Sequence, residues 1–128
     1  MAKGIEIRAA HFPGRAPIDA YGNGGFRFAD MSHRGSILCL PSGIHGWNMD
    51  IDAPLSPESF RKVLEDAADI EVLLIGTGLD LKPIPADLKA ALKARGISSD
   101  SMSTGAAVRT YNIMLAESRA VAAALIAV

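Results

Sequence analysis

The stretch EVLLIGTG, residues 71–78, decides the fold of this chain. The apolar run Val72–Ile75 is typical of a strand that is buried on both faces of a parallel sheet. Gly76, Thr77 and Gly78 follow it, and a strand that ends in a glycine-rich turn is also how many nucleotide-binding enzymes approach a phosphate. The stretch therefore raises two questions: which sheet contains it, and whether its turn binds a ligand.

The segments before this stretch predict two strands and a helix. SILCLPSG, residues 36–43, is an apolar run ended by proline and glycine, which indicates a buried strand. IHGWNM, residues 44–49, continues as a strand or an extended loop. Ser56 is a good N-cap and Pro57 suits the first helical position, so a helix is expected to begin there. Its apolar face would consist of Phe60, Val63, Leu64 and Ala67.

The N-terminal part predicts less regular structure. IEIRA, residues 5–9, alternates apolar and polar residues and indicates a half-buried strand. Residues 11–25 are rich in glycine and proline, so we expect a loop there. This loop ends in a tight turn at Gly22–Gly25, which leads into a short strand at Phe26–Phe28.

The segments after the stretch predict two helices and two further elements. PADLKAALKARG, residues 85–96, indicates a helix that ends at its glycine, and residues 97–103 would form a short parallel strand. Thr104 is a candidate N-cap for a third helix. The alanine-rich tail, residues 120–128, is ambiguous, because its composition favours helix while its apolar residues could line a final strand. This order predicts an α/β fold with a mostly parallel sheet and helices on both faces.

The composition limits the class of protein. A chain of 128 residues suits one compact domain, so residues 1–128 are predicted to form a single domain. With 49% hydrophobic and 21% charged residues, the chain should bury a core. A net charge of −1 and a pI of about 6.3 argue against nucleic acid as a partner. No apolar run approaches the roughly 20 residues that span a bilayer, so membrane insertion is not expected.

Neither cysteine nor histidine predicts a reactive site. Cys39 is the single cysteine and lies in an apolar run, which indicates a buried, inert thiol. His11, His33 and His45 lie far apart without metal-ligand spacing, and no serine hydrolase motif is present. We therefore expect no metal, no cofactor and no catalytic residue. The first fifteen residues show neither a signal-peptide core nor a targeting presequence, so a cytoplasmic location is expected.

The glycine-rich turn does not fit the common nucleotide-binding patterns. A dinucleotide fingerprint needs a third glycine where this chain has Leu81, and prolines delay the next helix to about Pro85. The glycines can serve a tight exit from the strand. Alternatively, the turn is part of a notch at the strand ends that binds an anion or another small ligand. The candidate notch consists of Gly76, Thr77, Gly78, Thr104 and Asn112.

Trp47 and Asn112 each allow two interpretations. Trp47 is either a core aromatic or an anchor for a protein partner, since tryptophan is favoured at binding hot spots. Asn112 lies on a predicted helix face that is otherwise apolar, so its amide needs partners if it is buried. Those partners are either backbone groups that fix the helix against the sheet or a ligand in the notch.

Four segments in this order resemble a known family. They are GWNM (46–49), the helix with Phe60, EVLLIGTG (71–78) and STGAAVRTYNIMLAESRAVAAALI (103–126). Together they are similar to the small family of largely uncharacterised domains that includes the mitochondrial complex I (NADH:ubiquinone oxidoreductase) assembly factor 3. The most specific positions are Trp47, the Gly76–Gly78 turn, Thr104, Ala107, Thr110, Tyr111 and Asn112.

The resemblance implies both a fold and a function. It implies a three-layer α/β domain with a five-stranded mixed sheet, in which the last strand is antiparallel to the others. The alanine-rich tail would then be a strand. It also implies a non-enzymatic protein that contacts subunits or assembly intermediates of the respiratory NADH dehydrogenase. The family has no established catalytic residues to transfer to this chain.

Overall fold

The computed structural model describes residues 12–128, so the strand predicted at residues 5–9 and His11 lie outside the described part. The strands are β1 (Ile18–Gly22), β2 (Gly25–Phe28), β3 (Met31–Arg34), β4 (Ser36–Leu40), β5 (Gly43–Trp47), β6 (Val72–Gly76), β7 (Ser98–Met102) and β8 (Val121–Leu125). The α-helices are α1 (Arg61–Glu65), α2 (Ala86–Ala94) and α3 (Thr104–Ala116). The structure thus confirms the elements predicted at residues 36–40, 72–76, 86–94 and 98–102.

Five strands form one mixed sheet in the order β5-β4-β8-β6-β7. The last strand, β8, is parallel to β6, and β6 is parallel to β7. β4 is antiparallel to both its neighbours, β5 and β8. The mixed sheet was predicted correctly, but the expectation that the last strand opposes the others was wrong, because β4 is the strand that does so. A tight hairpin forces β4 and β5 to be antiparallel, whereas the α3 crossover returns the chain parallel to β6.

The alanine-rich tail is a strand, as the family resemblance implied. β8 lies between β4 and β6, so its backbone is hydrogen-bonded on both sides. Ala122 and Ala124 face one core and Ala123 faces the other. Pairing on two sides and burial on two faces therefore outweigh the helix propensity of alanine, which is a weak preference that tertiary contacts override.

A three-stranded antiparallel sheet, in the order β1-β2-β3, was not predicted. The turn at Gly22–Gly25 was predicted correctly, and it joins β1 to β2 through Asn23 and Gly24, both at positive φ. β1 lies within the predicted loop, because the glycine and proline residues around it hide its strand pattern. β3 has the sequence MSHR, whose polar residues give no apolar pattern, so pairing with β2 rather than its own composition makes it a strand.

Two hydrophobic clusters lie on opposite faces of the five-stranded sheet, because alternate residues of β8 belong to one or the other. α1 contributes Val63 to the first cluster, the turn just before it contributes Phe60, and α2 contributes Leu88 and Leu92. α3 and the three-stranded sheet contribute to the second through Val108, Tyr111, Phe26 and Phe28. Helices therefore pack against both faces. None of the helices within residues 12–128 is long and apolar enough to cross a membrane.

The helix expected from Ser56 is shorter than predicted. It consists of a 3₁₀ turn at Glu58–Phe60, the five-residue α1 and a second 3₁₀ turn at Ala67–Asp69. The Ser59 hydroxyl donates to the Ser56 carbonyl oxygen at 2.8 Å, and the Ser59 N–H donates to the Ser56 hydroxyl at 3.3 Å. Such local bonds of serine compete with the regular helical pattern at its start.

Candidate functional site

The predicted notch lies where β6 ends against the first turn of α3. Gly76 is the last residue of β6, and a Cβ at this position would lie 2.9 Å from the Thr104 Cα and 3.1 Å from the Leu125 side chain. Any other residue would therefore force α3 away from the sheet. Gly78 has φ of +107°, a conformation that glycine adopts without strain. Both glycines thus have a structural reason to be glycine.

Thr104 joins three segments of the chain at this point. Its hydroxyl donates to the Ile126 carbonyl oxygen at 2.7 Å and accepts from the Gly78 N–H at 3.0 Å. Its own N–H donates to the Gly78 carbonyl oxygen at 2.8 Å. The residue is completely buried. The end of β6, the start of α3 and the residue after β8 are therefore held together by one side chain.

Thr104 is not the N-cap of α3, as the sequence predicted, but its first residue. The N-cap is Ser103, whose hydroxyl accepts from the Ala106 N–H at 3.3 Å. The error has a physical cause: two adjacent hydroxyl residues precede the helix, and either could cap it. The Thr104 hydroxyl bonds Gly78 and Ile126 instead, so Ser103 occupies the capping position.

Thr77 closes the loop that follows the turn. Its hydroxyl lies 2.7 Å from the Asp80 carbonyl oxygen and 3.2 Å from the Met102 carbonyl oxygen, and it accepts from the Lys82 N–H at 3.0 Å. The side chain is fully buried. Its hydrogen-bonding capacity is thus used inside the fold. The hydroxyls of Thr77 and Thr104 are committed to backbone groups, so the geometry does not favour the ligand-binding interpretation of this notch.

Asn112 lies apart from the other notch residues. It follows Thr104 by eight positions, which is about 12 Å along a helix. Its amide makes two hydrogen bonds with Ile18 of β1: the Ile18 N–H donates to Oδ1 and Nδ2 donates to the Ile18 carbonyl oxygen, both at 2.8 Å. The amide thus bonds the edge strand β1 and holds α3 against the three-stranded sheet. This is the first of the two predicted interpretations, in which the partners of Asn112 are backbone groups.

Trp47 lies in the hydrophobic cluster with α1 and α2. Its ring meets Phe60 edge to face, with centroids 5.1 Å apart, and its indole N–H donates to the Ser59 carbonyl oxygen at 2.8 Å. The residue exposes 9% of its surface. These contacts are those of a core aromatic. The partner-anchor interpretation stays a prediction that has little exposed surface to support it.

An exposed apolar surface that the sequence did not predict lies beside the turn. Leu79 and Leu81 expose 74% and 61% of their surface, and Ile51 is also exposed. The Ile51 side chain lies against Gly78, where it would be 2.8 Å from an added Cβ. We call Ile51, Leu79 and Leu81 the apolar rim. Two leucines in a loop between glycine and proline were the sequence signal that could have revealed it.

The described residues outside the turn offer little reactive chemistry. Cys39 is buried in β4, and burial raises the pKa of its thiol well above the ordinary range, so it is protonated and unreactive. Burial also lowers the pKa of His33, although a hydrogen bond with the Ser36 backbone partly opposes this. No cluster of three histidine, cysteine or acidic side chains suited to a metal ion occurs within residues 12–128.

Comparison with known proteins identifies the family of this chain. Residues 18–126 match the family described as a protein of unknown function (DUF498/DUF598). The chain belongs to this family. An uncharacterised protein of Rhodobacter capsulatus is 37% identical over 119 residues, which cover 93% of this chain and 90% of that protein. A crystal structure described as an outer membrane protein from Bartonella henselae has a TM-score of 0.87 at 64% identity, covering 91% of this chain and 98% of the other.

The chain is also similar to a named group of relatives. The Mus musculus protein NADH dehydrogenase (ubiquinone) 1 alpha subcomplex assembly factor 3 is 29% identical over 122 residues. The match covers 95% of this chain but 66% of the mouse protein. The resemblance drawn from the sequence is therefore confirmed at the level of the family, and an assembly-factor-like role is supported at that level.

Proposed function

We propose that this DUF498/DUF598 chain is a non-enzymatic interaction protein that binds a subunit or assembly intermediate of the respiratory NADH dehydrogenase. The observation that carries the proposal is the match to the mouse assembly factor over 95% of the chain. The site geometry agrees with it, because the buried threonines and the protonated Cys39 provide structural contacts rather than an arrangement for chemistry.

The apolar rim is the surface we propose for this contact. Leucine side chains that expose 74% and 61% of their area leave apolar surface in water, and burying it against a partner is favourable by about 25 cal/mol for each Å². An exposed apolar cluster surrounded by polar residues is typical of a protein–protein contact. Asp50, Asp52 and Asp80 lie next to the rim in the sequence and supply such a polar border.

The rim is also held in place before any partner binds. The Thr77 hydroxyl bonds both Asp80 and Lys82, and the Lys82 ammonium donates to the Ile51 carbonyl oxygen at 2.7 Å. These bonds connect the loop with Leu79 and Leu81 to the loop with Ile51. A preorganised surface loses less conformational entropy on binding, which favours affinity.

The test is a pull-down of the tagged protein, expressed at its native level in its own cells, with partners identified by mass spectrometry. We expect subunits of the respiratory NADH dehydrogenase to be recovered with the wild type. The double variant Leu79→Ser, Leu81→Ser should lose them, because it removes the apolar surface without touching the core.

The matched control is Ile113→Ser on α3. Ile113 exposes 61% of its surface, the same as Leu81, but it lies on a helix rather than on the rim. This variant should recover the partner as well as the wild type does. Failure to recover any subunit of the enzyme with the wild type would refute the assembly role, and equal loss in both variants would refute the assignment to the rim.

We also propose that the protein acts in the cytoplasm, as its sequence led us to expect. The relative from Bartonella henselae is described as an outer membrane protein, so the two locations are in competition. Fractionation of cells that express the tagged protein decides between them. Recovery with the outer membrane under washing with high salt would refute the cytoplasmic location.

A further inference from the structure

The outer face of the three-stranded sheet carries a depression unrelated to the turn or the rim. It is an open cavity of about 430 Å³, within the range of small-molecule sites. Phe26 and Phe28 of β2 are buried in the core, so the alternate residues Gly25 and Arg27 face outward. The depression exists because Ala20, Gly22 and Gly25 put almost no side-chain volume on this face.

Packing requires a glycine at position 25, so the floor of the depression stays open. A Cβ at Gly25 would collide with the His33 carbonyl oxygen of β3. Gly22 has φ of +132° in the hairpin, where a side chain is strained. Neither position can therefore acquire a side chain that fills the cavity without disturbing the hairpin.

Two arginines border this floor. Arg27 of β2 pairs with Ser32 of β3, and Arg34 of β3 pairs with Gly25 of β2. Arg27 and Arg34 are therefore diagonal neighbours on one face, with backbones about 7–8 Å apart, so their long side chains can converge. Neither forms an ion pair with another residue of the described range 12–128, and no acidic side chain lines the depression.

Several side chains at the depression can donate hydrogen bonds. Two guanidinium groups offer planar donor forks, and the Ser32 hydroxyl and the Asn23 amide add further donors at the border. Two fixed positive charges and several donors match a tetrahedral dianion better than a single carboxylate. Asp19 and Asp30 line a smaller cavity on the other side of Arg27, and their charges weaken the positive field there.

We propose that this depression, defined by Arg27, Ser32 and Arg34, binds a small molecule through its phosphate group. Arg27 and Arg34 would hold the phosphate oxygens. The floor at Gly22 and Gly25, which carries no side chains, would receive the remainder of the molecule. The site is independent of the proposed assembly role, since it lies on the three-stranded sheet and shares no residue with the apolar rim.

The test is an NMR titration of the ¹⁵N-labelled protein in about 150 mM salt, which screens weak contacts between exposed charges. The probes are ribose 5-phosphate, inorganic phosphate and ribose. We expect ribose 5-phosphate to cause saturable shifts confined to the amides of β1, β2 and β3, and ribose to cause none. Tighter binding of ribose 5-phosphate than of inorganic phosphate would identify a phosphate ester, and equal binding would identify free phosphate as the ligand.

Matched variants separate this site from general charge attraction. Arg27→Ala and Arg34→Ala should each lower the affinity about tenfold, since hydrogen bonds to charged groups are the strong ones. Arg61→Ala, which removes the same charge from the helix on the opposite face of the large sheet, should leave the affinity unchanged. Asp30→Asn should tighten binding, because it removes a negative charge near Arg27.

Two outcomes would overturn the proposed phosphate site. Shifts that do not saturate, or that spread over the arginines of the whole surface, would show attraction without a site. The same conclusion follows if Arg61→Ala weakens binding as much as Arg34→Ala does. Because Arg27, Arg34 and Arg61 are all exposed, none of these variants should unfold the protein.

Discussion

Replacing Thr104 by valine tests whether its hydroxyl stabilises the fold by connecting the turn after β6 to α3 and to the end of β8. Valine has nearly the shape of threonine, so the substitution Thr104→Val removes the hydroxyl and keeps the packing. Two buried backbone groups then lose their partner: the Gly78 N–H, now 3.0 Å from the hydroxyl, and the Ile126 carbonyl oxygen, now at 2.7 Å. The hydrogen bond from the Thr104 N–H to Gly78 is retained.

The expected loss of stability follows from these two groups. A buried group left without a hydrogen bond costs about 1–3 kcal/mol. Two such groups, partly relieved by small shifts of the turn, should lower the free energy of unfolding by about 2–4 kcal/mol. With a urea m-value of about 2 kcal/mol per M for a domain of this size, the midpoint should fall by about 1–2 M.

The assay is equilibrium unfolding in urea, followed by circular dichroism and by the fluorescence of Trp47. The matched control is Thr110→Val on the same helix. Thr110 is half-buried, and its hydroxyl makes no hydrogen bond within residues 12–128, so the change should be within about 0.5 kcal/mol. Thr104→Ser keeps the hydroxyl and should recover most of the loss. A Thr104→Val variant as stable as Thr110→Val would refute the reasoning.

Two further predictions concern groups on the α3 side of the sheet. Asn112→Ala should destabilise the protein by about 1–3 kcal/mol and speed hydrogen exchange at Ile18, because the Ile18 N–H and carbonyl each lose a partner. Unchanged exchange at Ile18 would contradict a role of Asn112 in fixing α3 to β1. Cys39 should resist thiol reagents until the protein unfolds. Its pKa is raised by burial, so the stability it contributes is present below about pH 8.5 and is lost as the pH rises and the unfolded thiol ionises. Unfolding at pH 9.5 should thus be easier by about 1 kcal/mol than at pH 7.5, and a Cys39→Ala variant should lack this loss.

Local patterns predicted those elements whose residues carry their own structural signal. β4 and β6 are continuous apolar runs, and the second helix has an apolar face of Leu88 and Leu92 and a glycine stop. These signals depend on neighbours in the sequence, so the sequence suffices to read them. β3 has no such signal and that of β8 is ambiguous, because pairing partners far along the chain determine the conformation of both strands.

The candidate site divides in the same way. The sequence brought attention to Gly76, Thr77, Gly78 and Thr104, and the structure does bring them together. Asn112 was grouped with them because its amide, on a predicted helix face that is otherwise apolar, needs partners, but it lies about two turns along α3 from Thr104 and bonds Ile18 instead. The apolar rim was not predicted, because two leucines in a loop are only a weak signal and their exposure depends on whether distant segments cover them.

By itself, the sequence determined the α/β class, the buried strand β6 and the family, because apolar periodicity, caps and ordered motifs are local properties of the chain. Tertiary structure alone decided which strand opposes the others and what Thr104 bonds. It also decided that two arginines on neighbouring strands border one depression. The physical reason is that strand order, burial and hydrogen-bond partners depend on residues up to about a hundred positions apart, and the free energy of those distant contacts selects among conformations that local propensity leaves nearly equal.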